Sequence, residues 1–94
     1  MAVKTKPRMD SFQALPPTLK TRVAKVTQFV SERGVRQTDI QDVARGLRIK
    51  YGLAWASLDA AWNCGLITKV KEGRGCYWIR KSRQGLLIDK NRLD

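Results

Sequence analysis

From Thr18 onward the apolar positions of this chain fall into three helical patterns and then two strand-like runs. Leu19, Val23, Val26 and Val30 recur at spacings of four, three and four, so they line one face of a helix that follows Pro17. Thr18 is its expected cap, and Gly34 its expected end, where a C′ glycine takes a left-handed conformation. Val35, Arg36 and Gln37 form a short connector with room for one small strand. Thr38-Asp39-Ile40-Gln41 then has the form of a capping box, in which the Thr38 hydroxyl and the Gln41 side chain satisfy orphan amides reciprocally. Ile40, Val43, Ala44 and Leu47 continue it as an amphipathic stripe about two turns long. Gly46 weakens this second helix but permits the close approach of a neighbour. Arg48 to Gly52 reads as a turn. A third helix is expected from Leu53 or Ala54 to Cys64, ended by Gly65, with Ala54, Leu58 and Ala61 in one line and Trp55, Leu58 and Trp62 in another beside it.

Leu66 to Lys71 and Cys76 to Arg80 are rich in β-branched and aromatic residues. The connector between them, Glu72-Gly73-Arg74-Gly75, makes the pair a hairpin. These elements set the domain at residues 17–80. Before it, residues 1–16 read as a flexible basic arm, because Lys4, Lys6 and Arg8 sit among small and polar residues and Pro7, Pro16 and Pro17 oppose a regular helix. Phe12 and Leu15 are the residues of the arm able to pack against the domain instead. Residues 81–94 form a basic extension with an apolar island at Leu86-Leu87-Ile88, either docked or mobile.

Composition narrows the function. Ninety-four residues allow one small domain with a modest core. No apolar run approaches the length of about 18 residues needed to cross a bilayer, and the basic N-terminus lacks the apolar stretch of a secretory signal. A cytoplasmic location is therefore expected, on the nucleoid if the source is prokaryotic, with no membrane partner. Cys64 and Cys76 lack the close spacing of metal or redox pairs and are expected as reduced packing thiols. The chain has no histidine, which removes most zinc sites and every histidine-based triad or general base. Asp39 and Asp42 serve a helix N-terminus, and Gly73-Arg74-Gly75 lacks the ending of a phosphate-cradling loop. No enzymatic activity, metal or cofactor is expected.

Charge points to the partner. Nineteen Lys and Arg against eight Asp and Glu leave a net charge of +11, beyond the magnitude of roughly 2 to 8 that solubility requires. Residues 37–68 are neutral overall, and the surplus lies on both flanks. Basic flanks around a quiet centre favour a polyanion, since each neutralised phosphate releases a condensed counterion.

Three helices followed by a glycine-tipped hairpin are arranged as in a winged helix-turn-helix domain, of the α+β class but mostly α. Thr38 to Leu47, with its capped start and its Val43-Ala44 and Leu47 core, resembles the first helix of a helix-turn-helix pair. Leu58 to Ile67 resembles the end of a recognition helix running into a wing, and Val70 to Ile79 resembles the wing itself. The resemblance is to a superfamily and covers Leu19 to Arg80. It implies duplex DNA binding, with the third helix in the major groove and the wing over backbone or minor groove.

The candidate nucleic-acid contacts are Lys4, Lys6 and Arg8 on the arm and Arg36 in the connector. Lys50, Tyr51, Trp55 and Ser57 join them at the start of the third helix, Lys69, Lys71 and Arg74 on the hairpin, and Arg80, Lys81 and Arg83 beyond it. The third helix departs from the superfamily pattern, because Leu53 to Gly65 holds not one Lys or Arg. Base readout is thereby limited, while backbone, shape and minor-groove binding remain open. Trp62 and Trp78 are expected in the core; Trp55 is expected at the surface, to stack on a sugar or base or to anchor a protein contact.

The leading reading is a small DNA-binding regulator of transcription or nucleoid-associated protein. One alternative is a protein-interaction module on the same fold, such as a phage or mobile-element inhibitor that docks its third helix on a nucleic-acid enzyme. Another is an RNA- or ribosome-associated binder. A homodimer would draw on Leu86-Leu87-Ile88 or the N-terminal arm.

Overall fold

The computed structural model describes residues 2–81. They form an α+β domain of three helices and one three-stranded antiparallel sheet. In chain order the elements are β1 (Ala2–Lys4), a turn of 3₁₀ helix (Phe12–Ala14), α1 (Pro17–Arg33), α2 (Ile40–Leu47), α3 (Tyr51–Asn63), β2 (Ile67–Glu72) and β3 (Gly75–Arg80). No helix among the described residues is long and apolar enough to cross a membrane. Arg83 and Leu86 to Ile88, with the rest of the C-terminal extension after Lys81, lie outside the described residues.

The helical stripes meet as their spacing predicts. Val23, Val26 and Val30 of α1, Ile40 and Val43 of α2, and Ala54, Leu58 and Ala61 of α3 close into one buried cluster with Ile67 and Trp78 of the sheet. Each fully buried Val or Leu contributes about 1.5–3 kcal/mol, so this cluster is the main favourable term in folding. Gly46 sits where α2 crosses α1: a Cβ there would collide with the Phe29 ring.

Several boundaries differ from the pattern reading, each for a local reason. α1 begins at Pro17 itself, with Pro16 in the cap position and no side-chain cap. Proline at the first helical position forfeits no intrahelical bond, so Thr18 is not needed as a cap. The capping box of α2 is shifted by one residue: Asp39 caps, its carboxylate accepting from the Asp42 amide at 2.8 Å while Asp42 accepts from the Asp39 amide at 3.1 Å. Thr38 is drawn away from capping into a two-way backbone bridge with Trp78, and its hydroxyl accepts from Arg33 Nε at 2.7 Å. α3 starts at Tyr51, earlier than expected, because Arg48 turns the chain in a left-handed conformation and Lys50 is already the extended N-cap. The exposed Gly52 in its first turn disguised that start.

The largest correction concerns the N-terminal arm. Ala2–Lys4 is no free tail but an edge strand, pairing Ala2 with Glu72, Val3 with Lys71 and Lys4 with Val70. The chain then follows the end of α3. Trp62 Nε1 donates to the Thr5 carbonyl at 3.4 Å, the Arg8 amide to Asn63 Oδ1 at 3.3 Å and the Asp10 amide to the Asn63 carbonyl at 2.6 Å. Phe12 and Leu15 pack against the core cluster. A three-residue strand is too short to show the alternation by which strands are read.

The hairpin is tighter than its four-residue connector implied. Glu72 and Gly75 are the last cross-strand pair, so Gly73 and Arg74 alone form the turn. Gly73 has φ +60°, the positive value that the first central residue of a II′ turn requires. Arg74 is thereby set at the extreme tip.

Candidate nucleic-acid interface

The tip of the hairpin, the first turn of α2 and the first turns of α3 converge on one groove of about 390 Å³. Tyr51 and Trp55, one helical turn apart on α3, supply its aromatic wall. Asp39, Ile40 and Gln41 line it from α2, and Arg74, Gly75 and Cys76 from the hairpin. Tyr51 is 57% exposed and Trp55 40%. Lys50 immediately precedes Tyr51, and Lys71 lies across the ladder from Cys76, so each is next to a residue that lines the groove. Lys50, Lys71 and Arg74 are exposed, and none has a carboxylate partner among the described residues.

Trp55 is held rather than dangling. Its ring meets Trp78 edge-on at 5.8 Å and 87°, and Trp78 is itself fully buried. The Lys69 ammonium lies 5.4 Å from the Trp55 centroid, 4.6 Å from that of Trp62 and 5.7 Å from that of Trp78. Such cation–π contacts strengthen as the cation loses water. Lys69 Nζ also reaches Asp59 Oδ1 at 3.4 Å, with only 14% of the lysine side chain exposed.

Lys69 therefore does not project toward a partner, contrary to its expected role on the wing. By register it shares a sheet face with Ile67 and Trp78, the core-facing side, so the cation points into the α3–sheet junction. Ser57 is corrected too. It is fully buried, and its hydroxyl accepts from Arg22 Nε at 3.2 Å, which removes it from any binding surface. Trp78 is in the core as expected, whereas Trp62 is only half-buried because its indole edge serves the N-terminal segment.

The remaining basic candidates are exposed but not gathered at the groove. Lys4 lies on the edge strand, Lys6 follows it, and Arg8 is paired with Asp10 at 3.0 Å. Arg36 lies in the α1–α2 connector. Arg80 stands opposite Ile67, at the end of the hairpin away from the tip. Lys81 lines a separate cleft of about 160 Å³ with Thr5, Trp62 and Gly65. Asp39, Gln41 and Cys76 at the groove were not legible as site residues, since only the tertiary approach of α2 to the hairpin brings them there. Asp39 and Gln41 carried a signal for a helix start and nothing more.

Among the described residues no group of three His, Cys, Asp or Glu side chains could hold a metal ion. Cys64, at the end of α3, has its thiol pKa pushed up by burial and, less strongly, by the Asp10 carboxylate, which lowers its reactivity. Comparison with family models, curated proteins and solved structures returns no match for this chain.

Proposed function

We propose that this chain is a small winged helix-turn-helix protein that binds duplex DNA, acting as a regulator of transcription or a nucleoid-associated protein in the cytoplasm. One observation carries the reading: the start of α3 and the hairpin tip, distant in sequence, flank a single groove lined by Arg74, with the exposed Lys50 and Lys71 next to its lining residues Tyr51 and Cys76. In this reading the first turns of α3 face the major groove while Arg74 follows backbone or enters the adjacent minor groove, where a narrow groove concentrates negative potential. The absence of Lys and Arg from α3 limits base readout, so phosphate contacts and DNA shape supply most of the affinity. Lys4 and Lys6 extend the positive surface along the sheet edge.

A second reading, a protein-interaction module on the same fold, is favoured by one specific observation. Tyr51, Leu53 and Trp55 are all exposed, and the stretch Tyr51 to Trp55 holds no Lys or Arg. Two charge-matched variants separate the readings. Arg74→Ala removes a cation at the groove; Lys25→Ala removes one on α1, beside Phe29 and Leu47 and outside the groove. On the DNA reading Arg74→Ala weakens duplex binding about tenfold, in line with a charge-assisted contact of roughly 1.5 kcal/mol, and Lys25→Ala leaves it within about twofold. Equal effects of the two variants, or none, contradict it.

A further inference from the structure

We infer that the groove holds one unpaired nucleobase, stacked on Trp55 and Tyr51, so that the protein prefers DNA carrying an extrahelical base over a fully paired duplex. The inference rests on the nucleic-acid reading of the same groove and names what that groove takes. A major-groove reader presents hydrogen-bonding side chains at the start of its recognition helix. Here those positions carry a tyrosine and a tryptophan, 57% and 40% exposed. Flat π-surfaces read a paired duplex poorly, because its bases are already stacked and show only their edges. They do bind bases that have left the stack.

Geometry supports the same occupant. The groove volume of about 390 Å³ lies within the range of small-ligand sites, about 300–1,000 Å³. Trp55 is fixed from the core side by the edge contact with Trp78 and by the Lys69 ammonium, so ordering it for stacking costs little. The groove is also polarised. On the α2 side Asp39 supplies the acceptor: one of its oxygens caps the helix through the Asp42 amide and the other is left for an amino group, while Gln41 Oε1 is engaged by Arg45 at 3.4 Å. Arg74 stands on the hairpin side, with the exposed Lys71 across the ladder from Cys76, where a phosphate is attracted. A nucleotide fits this polarity in one orientation, base toward α2 and phosphate toward the hairpin, and an amino-bearing base such as adenine suits it better than thymine.

The test compares fluorescently labelled short duplexes, one fully paired, one with a single extrahelical adenine and one with an extrahelical thymine. They are titrated with the full chain and with Trp55→Phe, Trp55→Ala and Tyr51→Ala. The full chain is expected to bind the adenine-bulged duplex about tenfold more tightly than the paired one, the gain that stacking one base supplies, with thymine between them. Trp55→Phe keeps most of the preference and Tyr51→Ala reduces it. Trp55→Ala abolishes it. Should Trp55→Ala fail to fold, the phenylalanine and Tyr51 variants decide. Equal affinity of the full chain for bulged and paired duplexes overturns the inference and leaves the duplex-binding reading intact. Binding to neither overturns both.

Discussion

Lys69 offers the sharpest perturbation, since sequence pattern assigns it to DNA and the fold assigns it to the core. Lys69→Ala removes an ammonium that stands 4.6 Å from the Trp62 centroid, 5.4 Å from that of Trp55 and 5.7 Å from that of Trp78. With the side chain only 14% exposed, the nearest of these contacts is worth about 1 kcal/mol and the other two less. The pair with Asp59, at 3.4 Å and with the carboxylate one-third exposed, adds about 0.5 kcal/mol. Loss of the packed methylenes adds about 1 kcal/mol. The sum, about 2–3 kcal/mol, lowers the melting temperature of a domain this size by about 10–20 °C. Lys69→Met keeps the stem and loses only the charge, so it costs about half as much. Urea unfolding followed by tryptophan fluorescence measures both, and a double-mutant cycle with Asp59→Asn isolates the ion pair. Stability within about 0.5 kcal/mol of the parent, together with lost DNA affinity, would show that Lys69 faces the partner and that its aromatic setting is incidental.

Deleting residues 1–5 removes β1 and the Trp62–Thr5 contact, so it lowers the melting point by several degrees as well as removing Lys4; an unchanged melting curve would return the segment to the status of a free arm. Asp39→Ala costs about 1 kcal/mol, whereas Gln41→Ala stays within about 0.5 kcal/mol, because the cap rests on Asp39 and Asp42. Chemical denaturation ranks the two, and the reverse order would restore Thr38 and Gln41 as the capping pair. Alkylation of Cys64 at pH 8 is slower than that of an ordinary free thiol, since burial and Asp10 keep it protonated. Asp10→Asn removes the lesser of those causes and speeds the reaction modestly, as followed by mass spectrometry; no change would leave burial as the sole cause.

The helical core was legible because burial imposes a period. Val23, Val26 and Val30, and Ala54, Leu58 and Ala61, all lie where their spacing places them. The hairpin was legible from residue type, and Gly73 has the positive φ its turn needs. What escaped was tertiary. Thr38 and Asp39 both suit a cap, and only the bridge to Trp78 decides between them. β1 is too short for a pattern and has no meaning without β2 beside it. Lys69 and Ser57 are polar residues whose burial depends on partners, Asp59 and Arg22, far away in the chain. The groove was half legible: Tyr51, Trp55 and Arg74 were read as candidates one by one, while their convergence with the start of α2 depends on how the hairpin folds back.

The central claim, that this chain binds duplex DNA through phosphate contacts, is tested most directly by the salt dependence of its affinity for a paired duplex. About five phosphates neutralised by the exposed lysines and arginines give a log–log slope of roughly −5, a loss of about a thousandfold between 50 and 200 mM salt. A slope near zero, or binding to an uncharged polymer as tight as to DNA, would contradict it.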